Sequence, residues 1–327
     1  MLSLAAFPCS LMKCIRECLF LLFLVAIPRN YRSILNQTLL NNRCSCITMV
    51  LPDVQSWKPS ATFKLTRVGI TGIKKPVRIT RNGRVVSLIP VLNLFVDLPA
   101  SRKGSDLSRN VEIIEEIVDE STRQPSASLE DLCERVTEKL LNRHEYASCA
   151  EVTATSDYFL ERETPAGKKT VEPYKIMAKA IQERGGRTRK FIGVEVIGMT
   201  ACPCAMENIK KTYGEKYTHN QRNVATLTIE NDGSVDADDL IVVAERAMSS
   251  PTFEILKRKD EMEVVKRAHE NPRFVEDVVR EMLKQILEKY PHLPDETVVI
   301  ARSESMESIH KHDAVAERVT TMGELRK

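Results

Sequence analysis

The sequence predicts an α+β protein in which an antiparallel sheet carries helices on one face. Three observations lead there: a hairpin signal at Asn82-Gly83, helices with one-sided apolar stripes, and an order of strands, two helices and strands that occurs twice along the chain. Val68 to Ile73 opens the series as a short apolar run. Val77-Arg78-Ile79-Thr80 and Val85-Val86-Ser87-Leu88-Ile89 flank Asn82-Gly83, a pair that accepts the positive φ angles of a tight turn. Val91 to Leu98 continues as a strand up to Pro99. Ser108 is placed to cap a helix over Asn110 to Glu120, and Ser126 or Ser128 starts a stronger one with Leu129, Leu132, Val136, Leu140 and Leu141 at helical spacing. Tyr146 to Phe159 and Phe191 to Met199 read as extended, with a helix expected between them from Glu172 to Arg184, closed by Gly185-Gly186. In the second round Asn223 to Glu230 alternates as a strand, Asn231-Asp232-Gly233 turns, and Ala237 to Met248 is an amphipathic helix. Asn271-Pro272 opens the best-patterned helix, whose stripe runs from Phe274 and Val275 to Ile286 and Leu287. Pro291 stops it, and Thr297 to Ala301 is expected as the final strand.

With 327 residues and 43% apolar content the chain can hold two domains or one duplicated domain. Its formal net charge is +3, yet residues 1–48 carry Lys13, Arg16, Arg29, Arg32 and Arg43 against Glu17 alone, so the remainder is close to neutral. A near-neutral body lacks the footprint of a nonspecific nucleic-acid binder. Cysteine usage divides at the same place. Cys9, Cys14, Cys18, Cys44 and Cys46 precede residue 48, and only Cys133, Cys149, Cys202 and Cys204 follow, too dispersed for a disulfide framework. A reducing, cytoplasmic compartment is the expectation. The apolar run Cys18 to Ile27 is shorter than the ~20 residues that span a bilayer and fits a signal h-region, but no Ala-x-Ala cleavage pattern follows it. Composition becomes that of a globular enzyme from Met49 onward, so residues 1–48 are expected to be an upstream extension or a disordered segment, with a membrane anchor as the competing reading.

Chemistry concentrates at Cys202-Pro203-Cys204, which ends the strand-like run Phe191 to Met199 and lies fifteen residues before His219. A Cys-Pro-Cys turn cannot close on itself as an unstrained disulfide, so its thiols are free to bind a metal or to react. Two cysteines packed as small hydrophobes would read the same way. No Walker-type glycine loop is present, which excludes a P-loop nucleotide hydrolase.

Six blocks in order carry a resemblance: Leu65 to Ile73, Val96-Asp97-Leu98-Pro99, Arg102-Lys103-Gly104 with Ser108-Arg109, Gly198 to Cys204, His219-Asn220-Gln221-Arg222, and Ser308-Ile309-His310-Lys311-His312. Together they resemble the type IB and type IV GTP cyclohydrolases, and the Thr200-Ala201-Cys202-Pro203-Cys204-Ala205 form is most similar to the archaeal type IV enzyme of methanopterin synthesis. One departure stands out: Asp106-Leu107 occupies the place where the bacterial pattern has His-Met. The resemblance implies a tunnelling fold of duplicated ββααββ units, with halves at 49–215 and 216–327 whose sheets join between subunits of a homodimer or homotetramer. It implies metal-dependent opening of the guanine imidazole ring of GTP, loss of C8 as formate, and 7,8-dihydroneopterin 2',3'-cyclic phosphate as product. Fe(II) is the expected metal, with Mn(II) and Zn(II) compatible by ligand type. Partners beyond GTP and further copies of the chain, such as nucleic acid or a membrane, are not expected.

Residue by residue, the resemblance assigns Cys202, His219 and His310 to catalysis and, with Glu261, to the metal. His312 is the alternative to His310, since extended chain would place both on one face. Cys204 is open between support of a ligand, a general acid and packing. Glu276 matches the carboxylate that accepts the guanine N1 and amino hydrogens, and Arg102, Lys103, Arg109 and Arg222 are the cations for the triphosphate. Glu261, Glu276 and the four cations read individually as ordinary solvated charges. Three rivals remain: a type IB activity that retains the triphosphate, a nitrile reductase with a covalent cysteine, and a non-catalytic nucleotide-binding protein with a closed structural metal.

Overall fold

The computed structural model describes residues 52–81 and 83–327; the extension 1–48, the run Cys18 to Ile27 and the start at Met49 lie outside the described residues. A nine-stranded sheet dominates. Its order is β1 (Leu65–Lys74), β4 (Val91–Leu98), β5 (Cys149–Glu163), β6 (Lys169–Glu183), β7 (Thr188–Ala201), β8 (Asn220–Glu230), β10 (Val298–Met306) and β11 (Ala314–Thr321), with the short β9 (Ser250–Pro251) pairing β7. Every ladder in it is antiparallel. The hairpin β2 (Val77–Arg81) and β3 (Arg84–Leu88) forms a separate two-stranded sheet, and Gly83 takes the φ of 72° that its turn requires.

Period-two burial decides this architecture. Val152, Ala178, Ala180, Ile192, Leu227, Ile229 and Ala301 are buried, and register pairs them directly, as in Leu94↔Val152, Val152↔Ala180, Ala178↔Ile192, Ile192↔Ile229 and Ala301↔Leu227. One sheet face is therefore a continuous apolar floor. Against it α1 (Leu107–Arg123), α2 (Leu129–Arg143), α4 (Ala237–Ala247) and α6 (Val275–Lys289) bury their stripes in a single core that draws on every one of those strands. Ser128, rather than Ser126, caps α2 by accepting the Asp131 N–H at 3.1 Å, and Asp106 rather than Ser108 stands at the N-terminus of α1. Asp53–Lys327 form one unit, and the β7–β8 ladder runs across the 215/216 boundary expected between halves.

Some elements differ from expectation. No helix forms over Glu172 to Arg184; that segment is β6, paired along its length with β5 from Cys149↔Glu183 to Glu163↔Lys169. Its Met, Ala, Lys, Gln and Glu residues favour helices locally, but Glu172, Tyr174, Ile176, Ala178 and Ala180 alternate into the core, and tertiary pairing overrides propensity. Gly185, with φ 77°, turns the chain into β7 instead of ending a helix. The strand expected over Thr297 to Ala301 extends to Met306 and is followed by β11 and the short α7 (Met322–Leu325), so it is not the last element. Two helices were not legible at all: α3 (Pro203–Tyr213), which begins inside the Cys-Pro-Cys motif, and α5 (Arg258–Glu270).

Asp97, near the end of β4, ties that strand to β5. Its carboxylate accepts the backbone N–H groups of Ser148 (2.7 Å) and Cys149 (2.8 Å), the Ser148 hydroxyl, and the Lys64 ammonium at 2.9 Å. Burial alone would raise the Asp97 pKa, but hydrogen bonds from Ser148, Lys64 and Cys149 outweigh it and hold the group down at about 2, from an ordinary 3.8. A carboxylate depressed on folding stabilises the fold above its unfolded pKa, and that contribution is lost as pH falls through the folded value. Asp97→Asn should cost about 1–3 kcal/mol in urea unfolding at pH 7. The gap from wild type should narrow as the pH is lowered from 3.8 toward about 2, and a gap constant over that window would contradict the assignment.

Candidate metal and nucleotide site

The end of β7 and the start of β8 bring two ligand-type side chains together. Ala201↔Asn220 is the last pair of the ladder, and beyond it the Cys202 N–H donates to the His219 carbonyl at 3.1 Å. Thr218 Oγ1 donates to the Cys202 carbonyl at 2.8 Å, closing the junction. Cys202 is also the N-cap of α3, where its Sγ accepts the Ala205 N–H at 3.4 Å with Pro203 in the first turn. Cys204, one turn position on, is exposed, and its sulfur takes only the Asn208 amide at 3.4 Å.

His219 has its orientation set from behind. Gln221, two residues along β8 and so on the same strand face, places Oε1 3.0 Å from His219 Nδ1 and donates through Nε2 to Thr200 Oγ1 at 3.2 Å. Thr200 Oγ1 lies 2.9 Å from Ser305 Oγ, and the Asn223 amide donates to Ser303 Oγ at 2.8 Å and Ser305 Oγ at 2.9 Å, all of these being buried. With an acceptor facing Nδ1, that nitrogen carries the proton and Nε2 keeps its lone pair for a ligand.

A cavity of about 410 Å³ opens here, lined by Cys202, His219, Gln221, Arg273, Phe274, Val275, Glu276, Ser305, Glu307, His310, His312, Ala314 and Val315. Glu276 is exposed in the first turn of α6, and the Arg273 N–H donates to the Ala201 carbonyl at 3.0 Å, docking the loop before α6 onto the end of β7. His310 and His312 lie on the exposed bend between β10 and β11, their rings stacked at 5.1 Å. Extended alternation does not describe them, since the bend itself turns both rings to one side.

Cys202, His219, Glu276, His310 and His312 thus line one cavity, whereas Glu261 is exposed on α5, and Arg222, Arg102, Lys103 and Arg109 are not among the lining residues. Arg102, Lys103 and Arg109 follow β4, four strand spacings from β8, roughly 19 Å along the sheet at about 4.8 Å per strand. Gln221, Arg273, Ser305 and Glu307 were not foreseen as lining residues. Alternation from His219 could have found Gln221; Arg273, Ser305 and Glu307 arrive through tertiary packing and carry no local signal. A larger cavity of about 650 Å³ lies between the β2–β3 hairpin and β5, but its walls hold no Cys or His.

By donor type, one thiol and imidazole nitrogens suit a borderline metal such as Fe(II) or Zn(II). By position, only Cys202 and His219 are joined through the backbone; among the described residues no three Cys, His, Asp or Glu side chains are gathered closely enough to hold an ion.

Residues 51–316 match the family described as Type I GTP cyclohydrolase folE2. The chain belongs to this family. It is 46% identical over 301 residues to GTP cyclohydrolase MptA 1 of Methanocella arvoryzae, covering 85% of this chain and 96% of that protein. GTP cyclohydrolase MptA of Methanobrevibacter smithii is 44% identical over 307 residues, at 86% and 99% coverage, and that of Methanocaldococcus jannaschii 43% over 302 residues, at 84% and 96%. Among solved structures, uricase from Arthrobacter globiformis shares the fold at a TM-score of 0.50 and 12% identity, over 78% of this chain and 93% of that one.

The two cysteines should separate cleanly. Cys202→Ala is expected to abolish iron retention after metal loading and gel filtration, whereas Cys204→Ala should keep most of it, read by elemental analysis per chain. Equal loss in both variants would remove Cys202 from its assigned place.

Proposed function

We propose that this chain is a GTP cyclohydrolase that opens the guanine imidazole ring, releases C8 as formate and forms 7,8-dihydroneopterin 2',3'-cyclic phosphate with departure of the other two phosphates as diphosphate, the first step of methanopterin biosynthesis. The observation that carries the reading is the shared cavity of Cys202, His219, Glu276 and His310 in a member of this family whose relatives are named GTP cyclohydrolase MptA. Cys202 and His219 Nε2 would hold the metal, and His310, which lines the same cavity and stacks on His312, would join them once the bend between β10 and β11 draws closer. Glu261, exposed on α5, completes the assigned ligand set only if the segment that carries it approaches. Fe(II) is the metal of this reading, with Mn(II) and Zn(II) able to substitute by ligand type. When bound, it supplies the Lewis acidity that attack of water at C8 needs at neutral pH. Glu276 accepts the guanine N1–H and amino hydrogens with its two oxygens, a bidentate contact that adenine cannot return. Gln221 keeps the His219 ring in its ligating tautomer.

The triphosphate cations support an assembly of several chains. Arg102, Lys103 and Arg109 lie toward the β1 edge of the sheet, and the cavity lies toward the β11 edge. Joining the β11 edge of one copy to the β1 edge of another, in the duplicated ββααββ arrangement of a tunnelling fold, brings one copy's cations to its neighbour's cavity. A homodimer or homotetramer follows from this reading. Among the described residues no helix is long and apolar enough to cross a membrane, and the proposed location is cytoplasmic.

Metal-free full-length chain incubated with GTP and Fe(II) without oxygen should release formate and yield a pterin with the mass of the cyclic monophosphate. A product that retains three phosphates would assign the type IB activity, and absence of formate would leave a non-catalytic binding protein. Glu276→Gln turns one acceptor toward a donor and should weaken GTP binding by about 1–3 kcal/mol while bound metal stays near wild type. Equal loss of metal would show that Glu276 does not read the base.

A further inference from the structure

The connection from β4 to α1 carries Arg102 and Lys103 on a rigid bend. The Arg102 N–H donates to the Pro99 carbonyl at 3.1 Å, the Lys103 N–H to the carbonyls of Gln55 (3.1 Å) and Trp57 (2.8 Å), and the Gly104 N–H to Gln55 at 3.1 Å. Beneath this bend runs a polar chain that ring opening does not use. Ser105 Oγ lies 2.7 Å from the Tyr146 hydroxyl, that hydroxyl 2.9 Å from His144 Nδ1, and His144 Nε2 2.7 Å from Asn110 Oδ1. His144 and Asn110 are fully buried, at 0% exposure. The same Tyr146 ring supports the Arg102 guanidinium, 4.3 Å from its centroid.

With the Asn110 amide oxygen turned toward His144, the chain runs one way and leaves the buried Asn110 Nδ2 without a hydrogen-bond partner. Asn110 Oδ1 only accepts, so His144 Nε2 carries the ring proton. A neutral ring then offers Nδ1 to the Tyr146 O–H, and the Tyr146 oxygen accepts the Ser105 O–H. Burial, with Arg109 and Arg102 nearby, enforces that neutrality by pushing the His144 pKa down to about 4, against a smaller opposing pull from Asp106. Arg102 is meanwhile incompletely satisfied: its Nη2 meets Asp106 at 3.4 Å, and its buried Nε has no hydrogen-bond partner. Asp106 is shared with Arg109, at 3.3 Å. Two guanidiniums share one carboxylate, one of them with an orphaned donor, and Lys103 follows Arg102 on the same bend, an excess of cations suited to a polyanion.

We propose that Ser105, Tyr146 and His144 are positioning residues for the polyphosphate of the substrate, holding Arg102 and the Lys103-Gly104 bend in the geometry that receives it. The role rests on the reading of Arg102, Lys103 and Arg109 as the triphosphate cations. Holding the donors in place before the ligand arrives removes an ordering cost from binding. Only ligands with phosphates benefit, because the base is read elsewhere by Glu276.

Calorimetric titration of the full chain with inorganic triphosphate and, separately, with guanosine tests this. Tyr146→Phe keeps the ring under Arg102 and removes the hydroxyl; Ser105→Ala breaks the chain at its upper end. Each should weaken inorganic triphosphate by about tenfold, the worth of one lost hydrogen bond, and leave guanosine within about twofold. Unchanged triphosphate affinity in both variants, or parallel loss of both ligands, would overturn the proposal, since a general folding defect does not discriminate between them. Lys103→Ala is the separate check on the underlying reading. If it binds inorganic triphosphate as wild type does, the bend is not the phosphate site, whatever Tyr146→Phe shows.

Discussion

The β7–β8 ladder is the constraint on which the rest of the structure depends. Its register, from Phe191↔Glu230 to Ala201↔Asn220, is held by one buried face, and a slip of one residue would turn Ile192, Val194, Leu227 and Ile229 out of the core. Because the core forbids that slip, the position where the two strands part is fixed, and Cys202 meets His219 there. The polar chain Gln221, Thr200, Ser305 and Asn223 lies behind the same junction and links β7, β8 and β10. Core packing and ligand placement are thus one interaction seen from its two ends.

The sheet that joins these ligands also separates other groups. A side chain cannot reach across four strand spacings, so the cations after β4 and the cavity beside β8 and β10 do not serve each other within one flat sheet. Among the described residues no strand pairs the outer edges of β1 and β11, and Val315 and Val319 on β11 are more than half exposed. Edges of that kind are suited to pairing with another chain, the same contact that would unite the cations with the cavity.

Much of the architecture was legible in local patterns. The β2–β3 hairpin, the stripes of α2, α4 and α6, and the alternation of β8 follow from short-range sterics and periodicity, and the structure contains each element. β6 runs against its local pattern because Met177, Ala178, Lys179, Ala180 and Gln182 have helical propensity, while the pairing that makes them a strand comes from β5 and β7. The helix α3 was hidden because its start, Pro203, coincides with a motif that reads as a turn.

The sequence by itself determined the α+β class, the family through six ordered motifs, and the residue types that sit around the cavity, since these depend on local chemistry and short spacing. Only the tertiary structure decided that Cys202 and His219 are backbone partners, that Gln221 and Arg273 share their cavity, and that Glu261, Arg102, Lys103 and Arg109 stand apart from it. The physical reason is that a sheet converts register into distance: residues far apart in sequence meet when their strands pair, and residues in equally strong motifs remain separated when other strands lie between them.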